Sequence, residues 1–318
     1  MLGNKVLITG GSGSLGTAIL QRAHDEGWNT EFTVVARNET KMSALKKKFP
    51  DVRCEIGDVR DLSWLHTIFP GHDTIAHTAA IKIIPVAELN VRETVLTNVI
   101  GSMNVAVAAV QAGAKRVIGV STDKSCLPNT QYGASKFLME GLFREANTWG
   151  NTEFNLVRYG NVLRSNASVI PFFEKLKDSG ERLRVTEPSM TRFWLSMGEA
   201  IDLIIDAAEF KETGIILVPK PPAMSMHDLA LAISDQEYDV IGVRPGEKIH
   251  EHLISSGESL HTRDDGKYFV IYPPNIGTDK PLSVGFEYVS SAPLFWLSKQ
   301  DLYDKINSYN PYGGPWYE

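Results

Sequence analysis

Tyr132 and Lys136 lie four residues apart in the segment Tyr132-Gly-Ala-Ser-Lys136 and form a pair suited to proton transfer. Residues at positions i and i+4 share one face of a helix, so the phenol and the ammonium are expected to be neighbours. A nearby positive charge lowers the pKa of a phenol, which would let Tyr132 act as a base at neutral pH. An ordinary helix start without chemistry is the alternative interpretation.

Asp123 and Lys124 form a second polar pair, eight residues before Tyr132 and directly after the predicted strand Arg116–Ser121. The two side chains carry opposite charges, so they offer an acid and a base at one strand end. A surface ion pair without a catalytic role is the alternative for these two residues.

Three glycines spaced as Gly10-x-x-Gly13-x-x-Gly16 follow the apolar segment Lys5–Thr9. Glycine permits a tight turn, close approach of the backbone to a pyrophosphate, and close packing of helix on strand. The helix that follows offers unpaired N–H groups and a positive dipole to phosphate oxygens. This context predicts a dinucleotide site, and a strand-turn-helix without a ligand is the alternative. The candidate cofactor contacts on this loop are Gly10, Ser12, Gly13, Ser14, Leu15 and Gly16.

The residues after the second predicted strand, Phe32–Ala36, bear on which dinucleotide binds. A carboxylate at this position would bind the 2′-hydroxyl of NAD, but the chain has Arg37 here, with Lys41 one turn on. Cations suit the 2′-phosphate of NADP, so NADP is favoured over NAD, and a solvated surface charge is the alternative for Arg37. Asp58 and Val59, after the third strand, are candidates for binding adenine, or Asp58 is a simple turn residue.

Strands and helices alternate up to about residue 160, and this pattern predicts parallel βαβ units. The expected fold class is α/β, a Rossmann doubly wound parallel sheet with a smaller C-terminal substrate-binding region. Residues 1–160 are expected to bind the dinucleotide and residues 161–318 mainly the substrate, with some later segments returning to the sheet. The predicted strands are Lys5–Thr9, Phe32–Ala36, Val52–Ile56, Thr74–Thr78, Arg116–Ser121 and Phe154–Arg158. The predicted helices include Val91–Ala112, closed by Gly113, and Tyr132–Thr148.

Composition narrows the function classes. The formal net charge of −6 argues against a general nucleic-acid binder, which needs a basic face. The two cysteines have no CxxC spacing, which suits a reducing compartment and gives no thiolate metal site. No signal peptide and no membrane span are expected, so the predicted location is the cytoplasm. The segment His250-Glu-His252 lacks a third ligand at metal-site spacing and is interpreted as a helix start, so no metal is expected.

Several further segments carry a resemblance to a known family. The chain resembles extended short-chain dehydrogenase/reductases and is most similar, within them, to the UDP-N-acetylglucosamine 4,6-dehydratases of the polysaccharide-biosynthesis group. The matching segments are His77-Thr-Ala-Ala-Ile-Lys82 with Pro85, Thr97-Asn98, Ser121-Thr-Asp-Lys124, Tyr132-Gly-Ala-Ser-Lys136, Val157-Arg-Tyr-Gly-Asn-Val162, Val169-Ile-Pro-Phe-Phe173, Met190-Thr-Arg-Phe-Trp194 and Arg244-Pro-Gly-Glu-Lys248.

The resemblance implies a reaction and its catalytic groups. Hydride leaves sugar C4, water is eliminated across C5 and C6, and the hydride returns to C6, so a tightly bound NADP is recycled. Tyr132 would be the base at the C4 hydroxyl, tuned by Lys136, which also binds the nicotinamide ribose. Lys124 would be the C5 base and Asp123 the acid, with a pKa raised by desolvation. Tyr132 stands where relatives that retain C5 configuration carry Met, which implies C5 inversion.

The resemblance also implies the ligand contacts. Arg192 and Arg244 would hold the diphosphate, because a guanidinium fork fits phosphate oxygens, and Glu247 would accept from the uridine ribose. The remaining implied substrate contacts are Lys82, Thr122, Tyr159 and Asn161. The remaining implied cofactor contacts are Ala79, Ala80, Lys82, Asn98, Tyr132 and Lys136. One segment, Ser165-Asn166-Ala167-Ser-Val169, departs from the family's Ser-Arg-Gly-Ser-Val and bears on sugar specificity.

Three other functions compete with this interpretation. A UDP-sugar 4- or 5-epimerase needs Tyr132 and Lys136 but no acid for a leaving hydroxyl, so the pair Asp123 and Lys124 argues against it. A non-catalytic NADP-binding regulator often lacks the Tyr or the Lys, and a net oxidoreductase would consume added cofactor. The expected partners are UDP-N-acetylglucosamine or a close UDP-sugar and further copies of the chain, paired through helices Val91–Ala112 and Tyr132–Thr148 into a dimer or a larger ring.

Overall fold

Apolar strand segments alternate with helices in the first half of the chain, and the computed structural model describes residues 2–165 and 168–308. The strands are β1 Lys5–Thr9, β2 Glu31–Ala36, β3 Arg53–Ile56, β4 Thr74–His77, β5 Arg116–Thr122, β6 Glu153–Tyr159, β7 Asn161–Val162, β8 Arg184–Val185, β9 Thr191–Leu195, β10 Ile216–Val218, β11 Ala223–Ser225, β12 Asp239–Val240, β13 His252–Ile254, β14 Thr262–Asp264, β15 Phe269–Ile271 and β16 Tyr288–Val289. The α-helices are α1 Ser14–Asp25, α2 Glu39–Lys48, α3 Leu62–Ile68, α4 Ile84–Leu89, α5 Val91–Val95, α6 Gly101–Ala112, α7 Gln131–Ala146, α8 Val169–Asp178, α9 Met197–Glu209, α10 Met226–Ile233 and α11 Lys299–Ser308.

The main sheet has nine strands in the order β14-β15-β10-β6-β5-β4-β1-β2-β3. The pairs from β10 to β3 are all parallel, and β15 and β14 add antiparallel strands at one edge. The predicted α/β fold class is therefore confirmed. Three of the strands come from beyond residue 160, namely β10, β14 and β15.

Both faces of the sheet are covered, as a parallel sheet requires. One apolar cluster joins the strands to α1 and α9, and a second joins them to α3, α6 and α7. A third cluster lies in the C-terminal part, around α8, α10 and β9. The second half of the chain thus supplies strands to the main sheet and builds a smaller body of its own.

The register between β5 and β6 positions the candidate site. The two parallel strands pair from Arg116 opposite Glu153 to Thr122 opposite Tyr159. The carboxyl ends of parallel strands form one edge of the sheet, and ligands of such sheets bind there. The pairing therefore places the polar residues that follow β5 beside those that follow β6.

The predicted helix Val91–Ala112 is interrupted by a π-helical stretch, Leu96–Ile100. Such bulges are frequent at functional sites, and Thr97 within it lines the cavity described below. The helix ends, as predicted, at Gly113, whose φ of 69° favours glycine. By length and composition this helix could cross a membrane, with a mean hydropathy of 1.4, although half of the stretch is buried inside the protein.

The predicted helix start at His250-Glu-His252 is wrong. His250 forms a bridge with Thr191 of β9, and His252 begins β13. Pairing with β9 and β16 supplies the backbone partners that a helix would otherwise provide. This extended segment brings Glu251 to the candidate site.

Candidate active site

A large cavity of about 1300 Å³ runs along the carboxyl edge of the sheet from the glycine loop to the C-terminal part. Its lining includes most of the residues singled out from the sequence: Gly10, Ser12, Gly13, Ser14, Leu15, Arg37, Lys41, Asp58, Val59, Ala79, Ala80, Lys82, Thr122, Lys124, Tyr132, Lys136, Tyr159, Asn161, Arg192, Arg244 and Glu247. Three predicted site residues, Gly16, Asn98 and Asp123, lie behind this wall.

The glycine loop has the shape that a dinucleotide phosphate needs. Gly10 has a φ of 70°, and a Cβ there would lie 2.7 Å from the backbone of Ala79. A Cβ on Gly16 would lie 2.3 Å from the Cα of Gly11, so Gly16 serves the packing of α1 on the loop. No side chain caps α1 at Gly13, and Gly13, Ser14 and Leu15 line the cavity, so the start of α1 borders the cavity where a phosphate could meet it. These residues fit a pyrophosphate.

The end of the cavity beyond β2 is lined by both positively and negatively charged side chains. Arg37 is half exposed, and its Nη1 lies 3.7 Å from the Oδ2 of Asp58. Arg60 binds the same carboxylate more closely, at 2.6 Å. Burial would raise the pKa of Asp58, but Arg60 and Arg37 outweigh burial and lower it. Asp58 is thus an engaged carboxylate, whereas Arg37 and Lys41 present cations to the cavity.

Asn98, a predicted cofactor contact, is not among the side chains that line the cavity. Its side chain is fully buried and binds the backbone N–H and C=O of Ile81, both at 2.8 Å. The same amide donates to the Oγ of Ser135 at 2.9 Å. Asn98 therefore ties the loop after β4 to helix α7 and acts on the site through those two elements.

Tyr132 and Lys136 share the cavity wall, but their electrostatic relation differs from the prediction. Burial raises the pKa of Tyr132 to about 12, and the opposing influences come from Lys124 and a hydrogen bond with Thr122. Lys136 donates instead to the C=O of Val120 at 2.7 Å, and burial lowers its pKa to about 8. The predicted lowering of the Tyr132 pKa by Lys136 is not found, because that ammonium is turned toward β5.

Asp123 is fully buried beneath the cavity wall formed by its neighbours in sequence. Its Oδ1 accepts from Thr122 Oγ1 at 2.9 Å and from Lys124 Nζ at 3.1 Å. Its Oδ2 is buried and has no hydrogen-bond partner among the described residues. Burial raises the pKa of Asp123, as predicted, and Lys124 only partly opposes that shift. The carboxyl group is therefore disposed to hold a proton.

Glu251 is a site residue that the sequence reasoning missed. It lines the cavity, is 3% exposed, and its Oε1 lies 3.3 Å from Lys124 Nζ. Lys248 also enters this region and donates to the C=O of Cys126 at 2.6 Å. The signal was the run of charges from Arg244 to Glu251, which the mistaken helix assignment at His250 obscured.

A second buried charge cluster lies directly behind the turn that carries Asp123. Arg158 is 1% exposed and lies 2.7 Å from Glu140 and 2.8 Å from Glu258. Glu140 in turn accepts from Ser121 at 2.6 Å and from Ser125 at 2.7 Å. These two serines bracket the turn, so the cluster fixes its position.

The residues expected to hold a nucleotide differ in how many contacts they already make within the protein. Arg192 is buried and donates to the backbone carbonyls of Thr191, Lys248 and Ile249. Its guanidinium, which was predicted to hold the diphosphate, is therefore already engaged within the protein. Arg244 is half exposed and lies 3.6 Å from Glu247, whose Oε2 is buried without a hydrogen-bond partner in the described chain.

The segment that departs from the family pattern is only partly described. Arg164 has a φ of 52° and pairs with Glu174 of α8 at 2.5 Å. Its guanidinium is therefore engaged outside the cavity wall. Asn166 and Ala167 lie outside the described residues. No group of three or more His, Cys, Asp or Glu side chains that would hold a metal occurs in residues 2–165 and 168–308.

Fold and site together define a protein of the short-chain dehydrogenase/reductase type, with a dinucleotide loop and a Tyr–Lys pair on one cavity. A family model described as polysaccharide biosynthesis protein matches residues 6–273, and the chain belongs to this family.

Similar proteins of known name carry two activities. A UDP-N-acetylglucosamine 4,6-dehydratase (inverting) from Campylobacter jejuni is 36% identical over 95% of this chain and 97% of that protein. A UDP-glucose 4-epimerase from Rickettsia massiliae is 38% identical over 84% of this chain and 82% of that protein. The crystal structure of Pen from Bacillus thuringiensis is 31% identical and superposes with a TM-score of 0.89, covering 96% of this chain and 98% of that one.

Proposed function

We propose that the protein dehydrates UDP-N-acetylglucosamine to a UDP-4-keto-6-deoxy-N-acetylhexosamine with inversion at C5. The observation that carries the proposal is the placement of Lys124 beside Tyr132 on the cavity that begins at the glycine loop, with Asp123 directly behind Lys124 and bonded to it. An oxidation at C4 alone needs only the tyrosine and Lys136. An adjoining acid and base are what an elimination adds. The inverting relative from Campylobacter jejuni supports the same assignment.

Tyr132 acts first, on the C4 hydroxyl. The glycine loop would hold a nicotinamide dinucleotide, which would supply the hydride chemistry, accepting a hydride from C4 and returning it to C6. The phenolate of Tyr132 takes the proton of the C4 hydroxyl, and the neighbouring Lys124 and Thr122 partly offset the burial that disfavours this ionised form. The resulting ketone at C4 makes the C5 proton acidic.

Lys124 and Asp123 then carry out the elimination. Lys124, as a neutral amine, takes the C5 proton, and Asp123 gives its proton to the C6 hydroxyl, which leaves as water. When the hydride returns to C6, C5 takes up a proton on its opposite face, and the proton that Tyr132 took from the C4 hydroxyl balances this step. A carboxyl group of ordinary pKa is ionised at neutral pH, so the raised pKa of Asp123 is what suits it to this role. Asp123 lies immediately beneath the cavity wall. In the proposed role, substrate binding therefore has to displace part of this wall so that the C6 hydroxyl reaches the carboxyl group.

The far end of the cavity suits the nucleotide. Arg244 is free enough to meet a diphosphate, and the buried, unpartnered Oε2 of Glu247 suits a ribose hydroxyl. Tyr159, at the end of β6, and Asn161, in β7, line the same cavity and are proposed substrate contacts. Arg192 supports the wall through its bonds to the 248–249 backbone and contributes positive charge.

NADP is the proposed form of the cofactor, tightly bound and regenerated in each turnover. Arg37 and Lys41 line the cavity beyond β2, where a 2′-phosphate would lie. Asp58, the carboxylate of this region, is engaged by Arg60. The proposed location is the cytoplasm, which suits Cys54 and Cys126, both free thiols.

Replacing Arg37 by alanine is expected to weaken NADP binding about tenfold and to leave NAD binding nearly unchanged. The guanidinium would meet only the 2′-phosphate, which NAD lacks. Calorimetric titration of nucleotide-free protein measures both affinities. The matched control is Arg53→Ala, a similarly exposed arginine on β3 that pairs with Glu55. Equal losses for the two dinucleotides would contradict the assignment.

The decisive experiment for the function is incubation with UDP-N-acetylglucosamine without added cofactor, followed by mass spectrometry and NMR. The expected product has lost one water, is a 4-ketone, and is inverted at C5. An unchanged mass with inverted C4 would instead establish an epimerase, the activity named for the Rickettsia massiliae relative. Net accumulation of oxidised sugar with reduced cofactor would establish an oxidoreductase.

The protein is further proposed to form a homodimer or a larger ring. Helices α5 and α7 expose apolar side chains at Val91, Val95, Phe137 and Leu138, which pairing would bury. Sedimentation of the purified protein tests this directly. A monomer at micromolar concentration would contradict it.

A further inference from the structure

Glu251 is an acidic residue on the cavity wall to which no role has so far been given. Its backbone is held on both sides, because its N–H donates to Ser290 Oγ and its C=O accepts from the Ser290 N–H, both at 2.8 Å. The carboxylate is thereby held next to Lys124, which also contacts Asp123. Lys124 Nζ lies 3.1 Å from Asp123 Oδ1 and 3.3 Å from Glu251 Oε1.

The cluster contains two buried carboxyl groups for one ammonium. If all three were ionised, one negative charge would be left in excess in a desolvated place, which is costly. One proton shared between the two carboxyls removes that excess. Each also has a second oxygen, Asp123 Oδ2 and Glu251 Oε2, without a hydrogen-bond partner in the described parts of the chain.

We propose that Glu251 is a positioning residue for the elimination: it serves as the counter-ion of Lys124 and so leaves Asp123 free to hold the proton that the leaving hydroxyl needs. The inference rests on the proposed dehydration. With Asp123 as its sole partner, Lys124 would keep that carboxyl group ionised and unable to donate.

The charges around the cluster favour this assignment of the proton. Burial raises the pKa of Asp123, Lys124 opposes the shift, and Glu251 adds to it. Burial would raise the pKa of Glu251 as well, but Lys124, Arg192 and Lys248 outweigh burial and hold it below its ordinary value. Lys248 Nζ lies 4.0 Å from Glu251 Oε2, and no comparable second cation lies at Asp123 in the described chain.

The contacts also account for the protons of the elimination. Asp123 and Glu251 outweigh burial and raise the pKa of Lys124, so Lys124 acts as the base only after its ammonium has released a proton. The neutral amine takes the C5 proton while Asp123 protonates the departing C6 hydroxyl, and water leaves with the C6–O bonding pair as the C5=C6 bond forms. Lys124 then passes the C5 proton to Asp123 across 3.1 Å, and Glu251 stays ionised throughout.

The test compares Glu251→Gln with the wild type on two substrates. With UDP-N-acetylglucosamine, dehydration at neutral pH is expected to fall about 100-fold, the usual contribution of a general acid. Oxidation at C4, followed by the absorbance of the reduced nicotinamide in a single turnover, is expected to persist. With the 6-deoxy-6-fluoro analogue, elimination is expected to recover toward the wild-type rate, because fluoride leaves without a strong acid.

The pH profile distinguishes a positioning role of Glu251 from a direct role as the acid of the elimination. Without the charge of Glu251, the pKa of Asp123 is lower, so dehydration by Glu251→Gln is expected to recover as the pH is lowered. If Glu251→Gln recovered with the fluoro analogue but did not recover at any pH with the natural substrate, Glu251 would itself be the acid. That result would overturn the positioning role. Glu251→Asp, which keeps the charge, is expected to retain a pH profile closer to the wild type.

The control is Glu287→Gln, a partly exposed carboxylate 4.0 Å from His252 and away from the cavity wall, which should behave as the wild type. Equal losses of Glu251→Gln on both substrates and in C4 oxidation would indicate a merely structural role and overturn the inference. Unchanged dehydration by this variant would also overturn it. A wild-type protein that yields a C4 epimer would instead overturn the proposed function.

Discussion

Replacing Lys124 by alanine is expected to abolish dehydration while dinucleotide binding remains. The loss should reach about 1000-fold, because the variant has no base for the C5 proton. The glycine loop lies at the other end of the cavity and does not contact Lys124. Product mass and NMR measure the dehydration, and the nucleotide released on denaturation measures the bound cofactor.

The control for this variant is Lys115→Ala, which removes the ion pair of an exposed lysine with Asp73, just before the start of β5 and β4. Its activity and stability should change little, because exposed pairs contribute little. Lys124→Ala leaves Asp123 and Glu251 without their shared cation. The fold should persist, because both carboxyl groups can take up protons and become neutral. Full activity of Lys124→Ala would refute its role as base.

Replacing Arg158 by methionine is expected to lower the free energy of unfolding by about 3–5 kcal/mol. The arginine is buried and neutralises Glu140 and Glu258, and it also donates to the C=O of Leu253 at 3.1 Å. Methionine keeps much of the volume but leaves two carboxylates without a cation. Denaturant unfolding measures the change, and a loss below about 1 kcal/mol would contradict the argument.

The same substitution should change the response to acid. Burial would raise the pKa of Glu258, but Arg158 outweighs it and lowers the pKa from 4.5 to about 2. A carboxylate with a lowered folded pKa stabilises the fold above its unfolded pKa and loses that contribution as the pH falls. Wild-type stability should therefore decline between about pH 4.5 and 2, and the decline should be shallower in Arg158→Met. Arg92→Met, at a highly exposed site, is the control.

Local patterns explain what could be predicted. The glycine spacing after β1 and the Tyr132–Lys136 spacing depend on residues close together in sequence, and both lie on the cavity where expected. The alternation of apolar strands with helices determines the sheet, because each strand must bury two faces. The raised pKa of Asp123 was expected from the acid role that the family resemblance implies, and burial produces it.

These local patterns did not predict the direction in which a side chain points. Lys136 is on the expected helix face, yet its ammonium meets the C=O of Val120 rather than the phenol of Tyr132. Arg192 belongs to a segment typical of the family, yet three backbone carbonyls occupy its guanidinium. Competing partners from elsewhere in the fold decide these contacts, and sequence spacing does not reveal them.

The sequence by itself thus determined the dinucleotide loop, the parallel sheet and the residues at the strand ends, because short-range geometry governs all three. Only the tertiary structure decided which charges meet. Glu251 reaches Lys124 because β13 pairs with β16 and His250 bridges to β9, a long-range arrangement without a local signal. In a buried site the energy of a charge depends on its partners, so the proton balance of Asp123, Lys124 and Glu251 emerged only with the fold.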